Sequence, residues 1–182
     1  MSLEQLCCFR FWCKFTEIFA RQQPLAASTA MKLNLPSYPL RIERTPSGLC
    51  IFDQLRKKSV ALTPEEWVRQ NFTAHLINAL GYPAALMANE VGLKLNGTLR
   101  RSDTVVWDRH GRPLVIVEYK APSVRITQRT VDQIARYNIV FQAPYLLISN
   151  GLQHICCELD LQTRSYKFLP EIPAYETIVN QK

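Results

Sequence analysis

The sequence predicts an α/β domain of αβββαβ order, a mixed central sheet flanked by helices, in a chain of 182 residues. Three observations predict it. Thr63-Pro-Glu-Glu66 opens a segment in which Trp67, Val68, Phe72, Leu76, Ala79 and Leu80 form an apolar stripe at helical spacing. Leu114-Val-Ile-Val117 is a short β-branched run bounded by turn residues, which favours a buried strand over a helix. Between it and a further apolar run, Tyr145 to Ser149, a second helix is expected from about Thr127 to Phe141.

The individual elements follow from local chemistry. Residues 32–62 are punctuated by Pro36, Pro39 and Pro46-Ser-Gly48, so they read as extended segments, with strands at Leu49–Phe52 and Val60–Leu62. Thr63 caps the first helix, Pro64 sits at its first position and Glu66 completes a capping box. Gly81 and Pro83 stop it. Leu86 to Leu95 reads as a strand carrying Glu90, with Asn96-Gly97 as the turn after it. Arg101 to Trp107 and Leu114 to Lys120 are strands joined by the turn residues Asp108 to Pro113, and therefore a hairpin. Asn150-Gly151 signals a second hairpin, between Tyr145–Ser149 and Leu152–Leu159, and Ser165–Leu169 is a last strand.

At the ends, residues 1–30 read as an extension outside the domain. Arg10, Lys14, Glu17 and Arg21 interrupt any secretory apolar region, Glu4 and Glu17 count against an organellar presequence, and Met31 is the expected biological start. The domain proper is expected over residues 31–170, with 171–182 a loose tail.

Composition narrows the function classes. There are 22 basic and 15 acidic residues, a net charge of +7, which suits a polyanion such as DNA, with a membrane surface as the competing partner. No stretch is long and apolar enough for a transmembrane helix, so no membrane span is expected. The six cysteines and three histidines have no zinc-ligand spacing, and Cys156-Cys157 reads as a pair of buried thiols in a reducing cytoplasm.

The chemistry lies in Asp103, fourteen residues, then Glu118-Tyr119-Lys120. A hairpin can bring Asp103 beside Glu118, and Glu118 and Lys120, two apart, project from one face. Paired carboxylates are hard ligands for Mg²⁺, with Mn²⁺ as a substitute, and a neighbouring ammonium can hold the attacking water or the pentavalent phosphate. The plainer reading is a turn-forming aspartate and a solvent-facing Glu-Lys pair. Glu90 by itself reads as a surface charge or as an ion-pair partner of Arg100. Arg100, Arg101, Arg109, Arg112, Arg125 and Arg129 gather in sequence around these acids, as a phosphate-binding rim or as a solvated surface.

The order of elements matches the PD-(D/E)xK nuclease fold. Thr63 to Arg69, Gly81-Tyr-Pro83, Glu90, Arg101-Ser-Asp103, Val117 to Pro122, Gln133 with Tyr137-Asn138, and Ser149-Asn-Gly151 together resemble the N-terminal nuclease domain of type I restriction enzyme R subunits, in its short stand-alone bacterial form. The resemblance covers about residues 32–170. It implies that Asp103 and Glu118 bind Mg²⁺, with the Tyr119 carbonyl completing the site, that Lys120 is the catalytic lysine and that Glu90 is an auxiliary acid. It also implies that Gln133 and Tyr137, a QxxxY pair, support the site and contact DNA; Arg101 and Arg129, from the arginine cluster, are the expected phosphate contacts beside them. Ser102 stands where many relatives carry proline. No Gly-x-x-x-x-Gly-Lys-Ser/Thr loop occurs, so no ATP site is expected and a helicase motor would have to come from elsewhere. The readings that stay open are a metal-dependent deoxyribonuclease, a silent nucleic-acid-binding module, or a module that docks on other restriction-modification subunits.

Overall fold

The computed structural model describes residues 31–95, 98–138 and 141–180, without the side chains of residues 93–100 and of Tyr137. The extension at 1–30 and the Asn96-Gly97 turn lie outside the described residues.

A small antiparallel sheet comes first, formed by β1 (Ile42–Thr45), β2 (Gly48–Asp53) and β3 (Lys58–Ala61) in that order. Helix α1 (Pro64–Asn78) follows, started by Thr63, whose hydroxyl accepts the Glu66 N–H at 3.0 Å. The reciprocal half of the expected capping box is not formed. The Thr63 N–H goes to the Ala61 carbonyl, and the Glu66 carboxylate turns instead to Arg56, Arg69 and Gln70. Besides its apolar stripe, α1 buries Glu66, Arg69, Gln70 and Thr73 at helical spacing, so one flank of the helix is a polar surface taken out of water.

The main sheet has six strands in sequential order: β4 (Met87–Leu95), β5 (Thr98–Trp107), β6 (Pro113–Tyr119), β7 (Tyr145–Ser149), β8 (His154–Asp160) and β9 (Ser165–Leu169). Every neighbouring pair is antiparallel except β6–β7, the pair that α2 (Gln128–Tyr137) connects. Parallel neighbours need such a crossover. The sheet separates two apolar layers. Val106, Val115, Val117, Tyr119 and Leu147 pack with Val68, Phe72 and Leu76 of α1. Val105, Ile116, Leu146 and Ile148 pack with Val131 and Ile134 of α2. The alternation along β6 and β7 assigns each residue to its layer, and the adjacent cysteines divide accordingly, Cys156 to the first layer and Cys157 to the second. Burial pushes the Cys156 thiol up to about 12 and that of Cys157 up to about 11, so both are neutral.

Two boundaries differ from expectation. Helix α2 ends at Tyr137 rather than near Phe141, because the Asn138 side chain takes both the N–H and the carbonyl of Ala143 and turns the chain. The stretch expected to be a loose tail contains a short helix, α3 (Tyr175–Asn180), whose Tyr175 and Ile178 are buried in the α1 layer. It is tied by the Tyr175 N–H to Leu80 and the Tyr82 hydroxyl to Pro173. Among the described residues no helix is long and apolar enough to cross a membrane.

Candidate functional site

Asp103 and Glu118 meet where the β5–β6 ladder stops. Its last pair is Thr104 opposite Val117, so the two acids stand opposite each other one step further on. The side chain of Asp103 continues the pairing: Oδ2 accepts the Tyr119 N–H at 2.9 Å. Its Oδ1 accepts Arg69 Nη2 at 3.1 Å. Glu118 Oε1 accepts Lys120 Nζ at 2.9 Å. Glu118, Lys120, Gln133 and Arg101 line a cavity of about 280 Å³ between the sheet and α2, with Ile116, Ile134 and Phe141 as its apolar wall.

The electrostatics agree with this placement. Burial raises the pKa of Glu118, and the charge of Asp103 raises it further against the pull of Lys120. Burial alone would lower Lys120, but its bond to Glu118 and the charges of Glu118 and Asp103 leave it raised and firmly protonated. The Tyr119 side chain points away into the core, where burial pushes its phenol up to about 12.

Glu90 also reaches this region, by an irregular route. In the β4–β5 ladder Asn89 faces Thr104 and Val91 faces Ser102, which leaves Glu90 between them without a ladder partner and with φ +63°. Its Oε1 accepts Arg69 Nη1 at 2.7 Å, Arg56 lies 3.8 Å away, and Arg101 contacts the other oxygen. Arg69 and Arg101 pair with Glu90, while the side chain of Arg100, the partner expected from sequence, lies outside the described residues. Behind the acids runs a buried polar chain. Asn89 donates to Asp53 at 2.8 Å, Thr104 donates to Asn89 at 2.6 Å, and Tyr119 donates to Thr104 at 3.1 Å. Each of Asn89, Thr104 and Tyr119 is the chain neighbour of one acid, so these bonds fix the register of the strands carrying Glu90, Asp103 and Glu118.

Sequence reasoning missed the arginines at the centre of the network. Arg69 bonds Glu66, Glu90 and Asp103, and Arg56 bonds Asp53 and Glu66. The available signal was Glu66, Arg69 and Thr73 at helical spacing on a buried flank of α1. The expected arginine rim is only partly assembled. Arg109 and Arg112 belong to the turn at the far end of the hairpin, five residues or about 17 Å along the strand from Asp103. There Arg112 pairs with Asp108 at 2.8 Å, which makes it a turn residue. Arg125 and Arg129 are exposed at the start of α2. Gln133 faces the cavity, whereas the side chain of Tyr137 lies outside the described residues.

Residues 64–173 match the family described as Type I restriction enzyme R protein N terminus (HSDR_N). The chain belongs to this family. Among solved structures it is similar to the fragment structure of a putative HsdR subunit of a type I restriction enzyme from Vibrio vulnificus YJ016, with 18% identity and a TM-score of 0.49. That match covers 68% of this chain and 26% of the other. No curated protein matches.

The donor set of this R-protein N-terminal domain fits a hard divalent cation. Asp103 and Glu118 stand on adjacent strands, and the pKa of Glu118 is raised first by burial and then by the charge of Asp103. Among the described residues no three His, Cys, Asp or Glu side chains gather as a metal cluster, so backbone and water oxygens would complete an ion's shell. Mg²⁺ commonly keeps several waters.

Proposed function

We propose that the domain is a Mg²⁺-dependent endonuclease that hydrolyses DNA phosphodiester bonds, with Mn²⁺ able to substitute, as a cytoplasmic component working with other restriction-modification subunits. The observation that carries this reading is the Asp103 carboxylate anchored on the Tyr119 N–H, within the triplet that also carries Glu118 and Lys120. Asp103 and Glu118 would hold the ion, with the Tyr119 carbonyl beside them. The ion would supply charge neutralisation at the phosphate and a lowered pKa for a bound water. Lys120, held protonated, would orient the attacking water and stabilise the negative charge developing on phosphorus oxygens. Glu90 would act as the auxiliary acid from β4. Gln133, with Tyr137 on the same helix, would contact the strand across the cavity, and Arg101 and Arg129 would contact neighbouring phosphates.

One observation favours a second reading. Both carboxylates already hold internal cations, Asp103 the Arg69 guanidinium and Glu118 the Lys120 ammonium. A silent nucleic-acid-binding or complex-docking module would keep that arrangement and gain affinity only from its basic surplus, weakening as salt rises. Plasmid nicking with added Mg²⁺ or Mn²⁺ separates the two. Asp103→Ala and Lys120→Ala are each expected to lower cleavage by roughly a hundredfold or more, the scale for loss of a transition-state contact. Full cleavage by both variants would overturn the nuclease assignment, and ion binding without cleavage would favour the module.

A further inference from the structure

We propose that Arg69 is the positioning residue of the metal-binding carboxylates, the group that sets the orientation of Asp103 and Glu90 for the ion. The inference rests on the metal-dependent reading above and adds to it a residue outside the acid–lysine set.

Four observations converge on this guanidinium. Arg69 is held on α1 with its side chain only 5% exposed, so it has no solvated alternative position. Its two terminal nitrogens go to different strands, Nη1 to Glu90 of β4 at 2.7 Å and Nη2 to Asp103 of β5 at 3.1 Å. Its plane lies over the Tyr119 ring, 5.6 Å from the centroid, which fixes its height above the sheet. The ladder itself leaves Glu90 unpaired, at positive φ, so backbone hydrogen bonds do not fix where its carboxylate points. A planar fork can set two carboxylates at once, whereas a point charge cannot, so lysine is no substitute here. The third acid on the same guanidinium, Glu66, is braced from behind by Arg56 and Gln70 and holds Arg69 at its root on α1. Arg69 therefore acts through Asp103 and Glu90 and not on the substrate.

The test uses the full chain and Arg69→Lys, which keeps the charge and loses the fork. Calorimetric titration of the metal-free protein with Mn²⁺ is expected to show affinity reduced about tenfold or more, the scale found when partners that orient metal ligands are removed. The midpoint of thermal unfolding without metal should move far less than that ratio implies, and kcat for plasmid nicking should fall with KM for DNA unchanged. Asn71→Ala, a change on α1 whose side chain bonds only the Trp67 carbonyl, should retain the wild-type Mn²⁺ affinity. Equal Mn²⁺ affinity in wild type and Arg69→Lys would overturn the role of Arg69 alone. Absence of Mn²⁺ binding by the wild type would overturn the metal-dependent reading and this assignment with it. Should Arg69→Lys fail to fold, guanidinium NMR of the wild type decides. Resolved, exchange-protected Arg69 Nη signals that collapse in Asp103→Asn support the fork, and averaged signals in the wild type refute it.

Discussion

A left-handed backbone at a non-glycine residue costs on the order of 1–3 kcal/mol, and Glu90 adopts φ +63° inside β4. The bond that the carboxylate makes to buried Arg69 works against that cost, since the residue has no ladder pair. Gly151 shows the reverse case, a positive φ of +81° that a residue with a side chain rarely adopts. A Cβ there would meet Leu33 Cδ2 at 2.6 Å and Val68 Cγ2 at 3.1 Å, while the Gly151 carbonyl accepts the Asn34 N–H at 2.7 Å. Gly151→Ala is therefore expected to destabilise the domain by about 1–3 kcal/mol, from the strained backbone and the overpacking together. Urea denaturation reads it directly, and an unchanged midpoint would contradict the tight approach of residue 33.

At the scale of the element, α2 depends on how it ends. Asn138 is 1% exposed and donates Nδ2–H to the Ala143 carbonyl at 2.6 Å while its Oδ1 accepts the Ala143 N–H at 3.2 Å. Asn138→Ala strands both backbone groups in the interior, and about 2–4 kcal/mol should be lost, given the cost of leaving a buried polar group unmet. Asn71→Ala on α1, where the side chain makes one bond to the Trp67 carbonyl, is the milder comparison. Equal losses in the two variants would remove the special role of the Asn138 turn. The same contrast explains what the one-dimensional pattern conveyed. Helix starts at Thr63 and Thr127 and the strand alternation of β6 are set by neighbours in sequence, so they were legible. The end of α2, the docking of Tyr175 and Ile178, and the course of the Glu66 carboxylate are set by groups distant in sequence. The triplet at Glu118 and its partner Asp103 could be read because one hairpin joins them. Arg69 and Arg56 could not, because their acids arrive from β2, α1, β4 and β5. Arg109 and Arg112, adjacent in sequence to the site, are carried away from it by the same hairpin.

Across the whole molecule, residues 31–38 form a strap that binds two histidines to the sheet carrying the site. Met31 accepts from Trp67 Nε1 at 3.0 Å, Tyr38 meets His75 Nδ1 at 2.9 Å, and the Asn34 carbonyl meets His154 Nε2 at 2.9 Å. His154 Nδ1 is 2.9 Å from the hydroxyl of Ser149, whose carbonyl accepts the Lys120 N–H at 2.9 Å. Burial lowers the pKa of both rings below the ordinary 6.5, the charge of His154 lowers His75 further, and the Asn34 bond partly offsets the burial at His154. A depressed pKa means that the unfolded chain binds protons first, so the stability present above 6.5 is lost as pH falls through the folded-state values. Asp53 and Asp108 are lowered from 3.8 and titrate below this window. Glu118 has the opposite sign: its pKa is raised, so the stability it contributes is present at low pH and lost as pH rises through that raised value. The histidine contribution to the melting temperature of the metal-free protein is therefore expected to hold from about pH 8 to 7 and to decline from about pH 6.5 toward 5, the range set by histidine's ordinary value, with Glu118 opposing that decline. His154→Gln should flatten that decline by removing one of the two proton-binding rings, and melting curves collected in matched ionic strength measure it. An equally steep decline in His154→Gln would show that the acid sensitivity arises elsewhere than at the strap.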